Sequence, residues 1–140
     1  MTGAVTLSSP VSTNPNALIS IVDDDESIRE ALADLIQSVG FRVRSFQSAL
    51  DFLAFADIRD TSCLIADINM PRMTGVELHR RLVELGHAIP TILITAHPND
   101  GVRARALADG VVSYLIKPFD DEALIGCVRS ALQPSGPTGR

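Results

Sequence analysis

The sequence predicts an α/β protein: a doubly wound parallel sheet of five strands, with helices on both of its faces. Three observations carry this. Short apolar runs alternate five times with stretches of helical periodicity. Most of the runs are apolar throughout, as strands buried on both faces must be. The chain has 140 residues, which suits one domain built from five such strand–helix units.

Residues 17–22 (ALISIV) form the first predicted strand. A helix follows over 27–39, with Ile28, Leu32, Leu35, Ile36 and Val39 on one face and Gly40 as its left-handed stop. Residues 41–46 (FRVRSF) alternate apolar and polar, which suits a half-exposed edge strand protected by Arg42 and Arg44. Ser48 and Asp51 open a second helix over 48–55. The third strand, residues 63–67 (CLIAD), is apolar until its last residue. After Pro71, Thr74 and Glu77 form the capping box of a third helix that stops at Gly86. Residues 91–95 (TILIT) are the fourth strand, and a helix over 101–108 stops at Gly110. Residues 113–116 (SYLI) are the fifth strand. A last helix over 121–132 turns Leu124, Val128 and Leu132 inward. Residues 1–16 and 134–140 lack periodicity and read as a flexible tail and as a tail or linker stump around a domain over 17–133.

Composition removes several functions. The net charge is -5 and the basic residues are scattered, so the domain offers no electrostatic grip on nucleic acid. The two cysteines, Cys63 and Cys127, make neither a disulfide framework nor a metal cluster. No secretory signal is evident, and no apolar run reaches the ~20 residues that cross a bilayer. These features predict a soluble, cytoplasmic protein that does not enter a membrane. Nucleotide binding has no support, because neither a P-loop nor GxGxxG is present.

Ligands of open α/β sheets bind beyond the carboxyl ends of the strands. Strand one ends in Asp23, Asp24, Asp25 and Glu26, strand three in Asp67 followed by Asn69, strand four in Thr95, and strand five in Lys117 and Pro118. Asp25 and Glu26 suit a helix start, where negative charge meets the helix dipole. Asp23 and Asp24 follow the buried strand directly. With strands one and three adjacent, ~4.8 Å apart, both approach Asp67. Like charges ~4 Å apart repel by roughly 4 kcal/mol at an effective dielectric of 20. Three carboxylates therefore call for a cation, and hard oxygen ligands point to Mg²⁺. Taken singly, Asp67 could close an Asx-turn, Thr95 could be an ordinary strand end and Lys117 a surface cation. Together they supply a nucleophilic carboxylate, a hydroxyl donor, a cation and a metal site, the parts that phosphoryl transfer to a carboxylate needs.

The segments VDDDESIR (22–29), IADINMPRMTG (65–75), ILITAH (92–97) and YLIKPF (114–119) resemble the motifs of response-regulator receiver domains, most of all those of FixJ-type transcription regulators. The likeness runs from about residue 18 to 132 in order and spacing, and no motif position departs from it. It implies a flavodoxin-like sheet in the order 2-1-3-4-5 with five helices. It further implies phosphoacceptor Asp67, an acidic pocket of Asp23 and Asp24, the active-site residues Thr95 and Lys117, a metal-ligating backbone carbonyl at Asn69 and a switch pair of Thr95 and Tyr114. The donor it implies is a histidine kinase or phosphotransfer protein. The output is the face of the fourth helix, fifth strand and fifth helix, with a homodimer as one use of it. The Lys117–Pro118 bond is expected to be cis.

Two other functions compete. A phosphatase of the haloacid-dehalogenase type also uses an aspartyl nucleophile with Mg²⁺, but it would want a carboxylate two residues later, where this chain has Asn69. A module that is never phosphorylated would not need the acidic set. The signalling reading therefore stands first, with no enzymatic turnover of an external substrate. His79 and His87 are expected to be solvated. His97, two residues beyond Thr95, either governs water access at the pocket mouth or is an ordinary loop histidine.

Overall fold

The computed structural model describes residues 16–55 and 57–133. The expected tails lie outside these residues, save Asn16. Five strands, β1 (Leu18–Val22), β2 (Arg42–Phe46), β3 (Cys63–Asp67), β4 (Thr91–Thr95) and β5 (Ser113–Ile116), form one sheet in the order β2-β1-β3-β4-β5. Every pairing is parallel. The helices are α1 (Glu26–Ser38), α2 (Ala49–Ala54), α3 (Gly75–Glu84), α4 (Asp100–Ala108) and α5 (Asp121–Leu132).

Alternation along the central strands builds two cores. Ile19, Ile21, Cys63, Ile65, Ile92 and Ile94 join Leu32 and Ile36 of α1 and Leu124 and Val128 of α5. Val22, Leu64, Ala66 and Leu93 point the other way, towards Phe52 of α2, Leu78 and Leu82 of α3 and Ala106 of α4. A strand's side chains alternate between faces, so a wholly apolar strand needs helices on both. The edge strand β2 is only half-buried, as its alternation predicts. Its Arg44 lies 4.7 Å from the centre of the Phe55 ring.

Local chemistry sets the helix ends. The Asp25 side chain accepts the N–H groups of Ser27 and Ile28, so α1 begins at Glu26, one residue earlier than expected. Ser48 accepts the Asp51 N–H at the start of α2. Thr74 and Glu77 form the full reciprocal box of α3. Asn99 caps α4 by accepting from Val102. A 3-10 turn at Ile58–Asp60, which the sequence reading missed, places Ile58 under the second core. Its three residues are too few to show a helical period.

Two histidine expectations change. His79 is 6% exposed rather than solvated, because α3 turns Gly75, Leu78, His79 and Leu82 to the protein, spacings that share one helix face. His87 is half-buried. Burial holds the His79 imidazole below its ordinary value of 6.5, with Arg80 acting in the same sense and Asp109 against it. The unfolded chain therefore takes this proton first. The stability that neutral His79 contributes is complete above pH 6.5 and is lost as the pH falls below it. His79→Leu should flatten this limb of the melting temperature against pH, and an unchanged slope would remove His79 as its cause. Burial also pushes the Cys63 thiol up to about 12, so this cysteine is an unreactive core residue.

Candidate functional site

The register aligns the carboxyl ends of β1 and β3: Val22 pairs with Ala66, so Asp23 and Asp67 follow at one edge. Asp23 is fully buried and held on every side. Its N–H donates to the Phe46 carbonyl at 3.1 Å, and its own carbonyl accepts Arg29 Nη1 at 2.6 Å. Oδ1 accepts the Asp25 N–H at 2.9 Å, and Oδ2 lies 3.5 Å from Lys117 Nζ. Asp67 is buried at the end of β3, where Oδ1 accepts the Asn69 N–H at 3.2 Å and Oδ2 lies 3.8 Å from Lys117 Nζ. Asp24 is exposed at the rim. One oxygen from each of Asp23, Asp24 and Asp67 falls within 4.8 Å of the others.

Electrostatics decides what this cluster wants. Among the described residues Lys117 is the one cation that pairs with this cluster, and it reaches only Asp23 and Asp67 of the three carboxylates. Burial raises the Asp23 carboxyl above its ordinary value; the Asp25 N–H opposes this, Asp67 adds to it, and Lys117 opposes it. A single ammonium therefore leaves the cluster short of positive charge. The donor set fits Mg²⁺, a hard cation that keeps water ligands while taking one or two carboxylates.

The remaining predicted residues converge on the same edge. Lys117 precedes a cis peptide to Pro118, as expected, and its N–H donates to the Thr95 carbonyl at 2.8 Å. Thr95 is fully buried; its hydroxyl donates to Asn69 Oδ1 at 2.6 Å and accepts the His97 N–H at 2.9 Å. Tyr114 is half-buried on β5, paired with Leu93. Leu93 and Thr95 are two residues apart on β4, so Tyr114 and Thr95 face the same side of the sheet. The Tyr114 hydroxyl accepts the Asn99 N–H at 3.1 Å, tying β5 to the cap of α4. His97 is exposed and reaches the site through its backbone.

Three contributors escaped the sequence reading: the Arg29 contact, the Asn69 side chain and Gly75. Arg29 sits six residues beyond Asp23 on α1, and nothing in a linear pattern says that its guanidinium folds back onto that carbonyl. A Cβ on Gly75 would lie 2.6 Å from the Asp67 carbonyl oxygen and 3.1 Å from a Leu93 methyl. The start of α3 is thus packed directly against the backbone of Asp67. Gly75→Ala should destabilise the fold by about 1–3 kcal/mol, the usual range for overpacking. A thermal melt checks this, and a variant as stable as the parent would show that the approach is not tight.

A parallel 2-1-3-4-5 sheet with this acidic edge defines the class of receiver domains in two-component signalling. The chain belongs to that family: residues 19–129 match the response regulator receiver domain. It is 41% identical over 117 residues to the response regulator protein TmoT of Ectopseudomonas mendocina, covering 84% of this chain and 53% of TmoT. It is 42% identical over 114 residues to the transcriptional regulatory protein FixJ of Rhizobium meliloti, covering 81% of this chain and 55% of FixJ. The crystal structure of FixJ-N superposes with a TM-score of 0.76 at 41% identity, over 83% of this chain and 93% of that one. The chain spans about half the length of these full regulators. Receiver domains generally bind Mg²⁺ at an aspartate cluster and are phosphorylated by histidine kinases; this chain brings Asp23, Asp24 and Asp67 together as an acidic group. No helix among the described residues is long and apolar enough to cross a membrane.

Proposed function

We propose that this domain accepts a phosphoryl group on Asp67 from a histidine kinase or phosphotransfer protein in the cytoplasm, and that Thr95 and Tyr114 pass the change to the α4–β5–α5 face. One observation carries the reading: Asp67 ends a buried strand with Asp23 and Asp24 within ligand distance and Lys117 Nζ 3.8 Å away. A carboxylate oxygen of Asp67 attacks phosphorus, the P–N bond to the donor imidazole breaks, and its electron pair leaves with that imidazole. Lys117 faces the incoming negative charge. Asp23, Asp24, Asp67 and the Asn69 carbonyl are the residues that would hold Mg²⁺, which when bound neutralises phosphoryl oxygens. An apolar groove of about 530 Å³ between Ile28, Leu35, Pro118 and Phe119 opens beside Lys117, and we assign the donor to it.

The output route has a physical basis in α4. Ala106 is its one buried residue, so little apolar burial anchors it. Its N-cap residue is bonded to Tyr114, whose neighbouring strand carries Thr95. A phosphoryl group adds about -1.5 to -2 charges and strong acceptors, enough to draw a hydroxyl and reset such a chain of contacts. Arg103, Arg105 and Leu107 are exposed on α4 and Ile116 on β5, so a change here alters a surface able to pair with a second copy or an output partner. Incubation with a small acyl phosphate tests the function. One hydroxylamine-sensitive phosphate per chain is expected with Mg²⁺ and little without it, and an unlabelled chain would overturn the proposal. With beryllofluoride bound, amide exchange across residues 95–132 should change, and sedimentation reads whether the face pairs.

A further inference from the structure

The Thr95 hydroxyl has one proton, and the structure shows where it is held. Oγ1 donates to Asn69 Oδ1 at 2.6 Å, while the His97 N–H occupies a lone pair of Oγ1 at 2.9 Å. A hydroxyl is a single donor. Thr95 therefore cannot donate to an anion on Asp67 until Asn69 releases it. We propose that the Asn69 side chain is a latch that competes with a phosphoryl group on Asp67 for the Thr95 proton and so holds the switch in its resting arrangement. The inference rests on the reading that Asp67 is the acceptor.

The geometry makes the competition direct. The Asn69 N–H donates to Asp67 Oδ1, so the carboxylate and the latch belong to one tight turn. Thr95 is fully buried, whereas Asn69 is exposed. On release, the Asn69 carboxamide finds water at once, but the Thr95 hydroxyl has to find another acceptor inside the protein. A phosphoryl oxygen is that acceptor, and a charged one makes the stronger bond. Losing the Asn69 side chain leaves a buried donor unsatisfied in the resting state alone, since the phosphorylated state supplies its own partner. The backbone carbonyl at position 69 is retained in any such variant, so the metal ligand assigned there is retained with it. Asn69 acts through Thr95 and is a positioning residue.

The test is beryllofluoride affinity by calorimetry with saturating Mg²⁺, in the parent, Asn69→Ala, Thr95→Val and the double variant. Asn69→Ala should bind about three- to tenfold more tightly than the parent, the worth of one net hydrogen bond. In the Thr95→Val background the same change should do nothing, because no proton remains to compete for. In the ligand-free protein, Asn69→Ala should also move the Thr95 methyl resonance towards its position with the mimic bound. The chain has one tyrosine and no tryptophan, so intrinsic fluorescence reports on Tyr114 throughout. Equal or weaker binding by Asn69→Ala would overturn the latch, as would the same tightening in the Thr95→Val background. A parent that fails to bind the mimic would overturn the Asp67 reading itself, and the latch with it.

Discussion

Asp67→Asn should abolish hydroxylamine-sensitive phosphate incorporation from an acyl phosphate in the presence of Mg²⁺. The carboxamide keeps the shape of the side chain and its place at the end of β3, so the fold has no reason to change. What it removes is the anionic oxygen to which the proposed function assigns the attack on phosphorus. It also leaves Lys117 with one acidic partner, Asp23 at 3.5 Å, in place of two. Neither Asp23 nor Asp24 can substitute. Asp23 is fully buried, with one oxygen engaged by the Asp25 N–H and the other facing Lys117, and Asp24 stands at the exposed rim. A phosphate-sensitive gel of parent and variant decides this, with a melt to show that both are folded. Full labelling of the variant would remove Asp67 as the acceptor.

Mg²⁺ should stabilise the unphosphorylated protein strongly. At 100 times its dissociation constant a ligand adds about 2.7 kcal/mol, which for a domain of this size raises the melting temperature by roughly 10 °C. Asp24→Asn should lose most of this gain. Without Mg²⁺ it should melt no lower than the parent, because it removes one of three crowded negative charges. Asp24 is exposed, so solvent screens its share of the repulsion and the metal-free difference should be small. The pH dependence follows from Asp23, whose carboxyl lies above its ordinary value of 3.8 chiefly because of burial. For such a group the ionised form is the disfavoured one in the fold. The metal-free protein bears that penalty at neutral pH and sheds it as the pH falls through the raised value. Protons and Mg²⁺ compete for the same oxygens, so the gain in melting temperature from Mg²⁺ should be largest at neutral pH and shrink towards acid. A gain that grows on acidification would contradict the assignment of Asp23 as a ligand.

The sheet, the helix boundaries to within a residue or two and the convergence of the candidate site residues on one edge were legible in the amino-acid sequence. These are properties of local order. An apolar run bounded by polar residues states which strand is buried, Gly40, Gly86 and Gly110 take the positive φ that ends helices α1, α3 and α4, and Thr74 with Glu77 marks a helix start. Strand ends then collect Asp23, Asp67, Thr95 and Lys117 at one edge for any parallel sheet of this order, and the motifs that carry the family likeness supplied the order. How those groups share their protons and charges was set by the packing of separate elements against one another. Asn69 Oδ1 against the Thr95 hydroxyl spans 26 residues, Lys117 against Asp23 spans 94, and Gly75 beneath Asp67 is a close approach of two segments. His79 shows the same limit: its solvation depended on which face α3 turned to the protein, and that face was chosen by Leu78 and Leu82. Periodicity encodes what each residue does within its own element. Which partner takes a given hydrogen bond depends on distances of a few ångströms between elements, and those exist only once the two cores have packed.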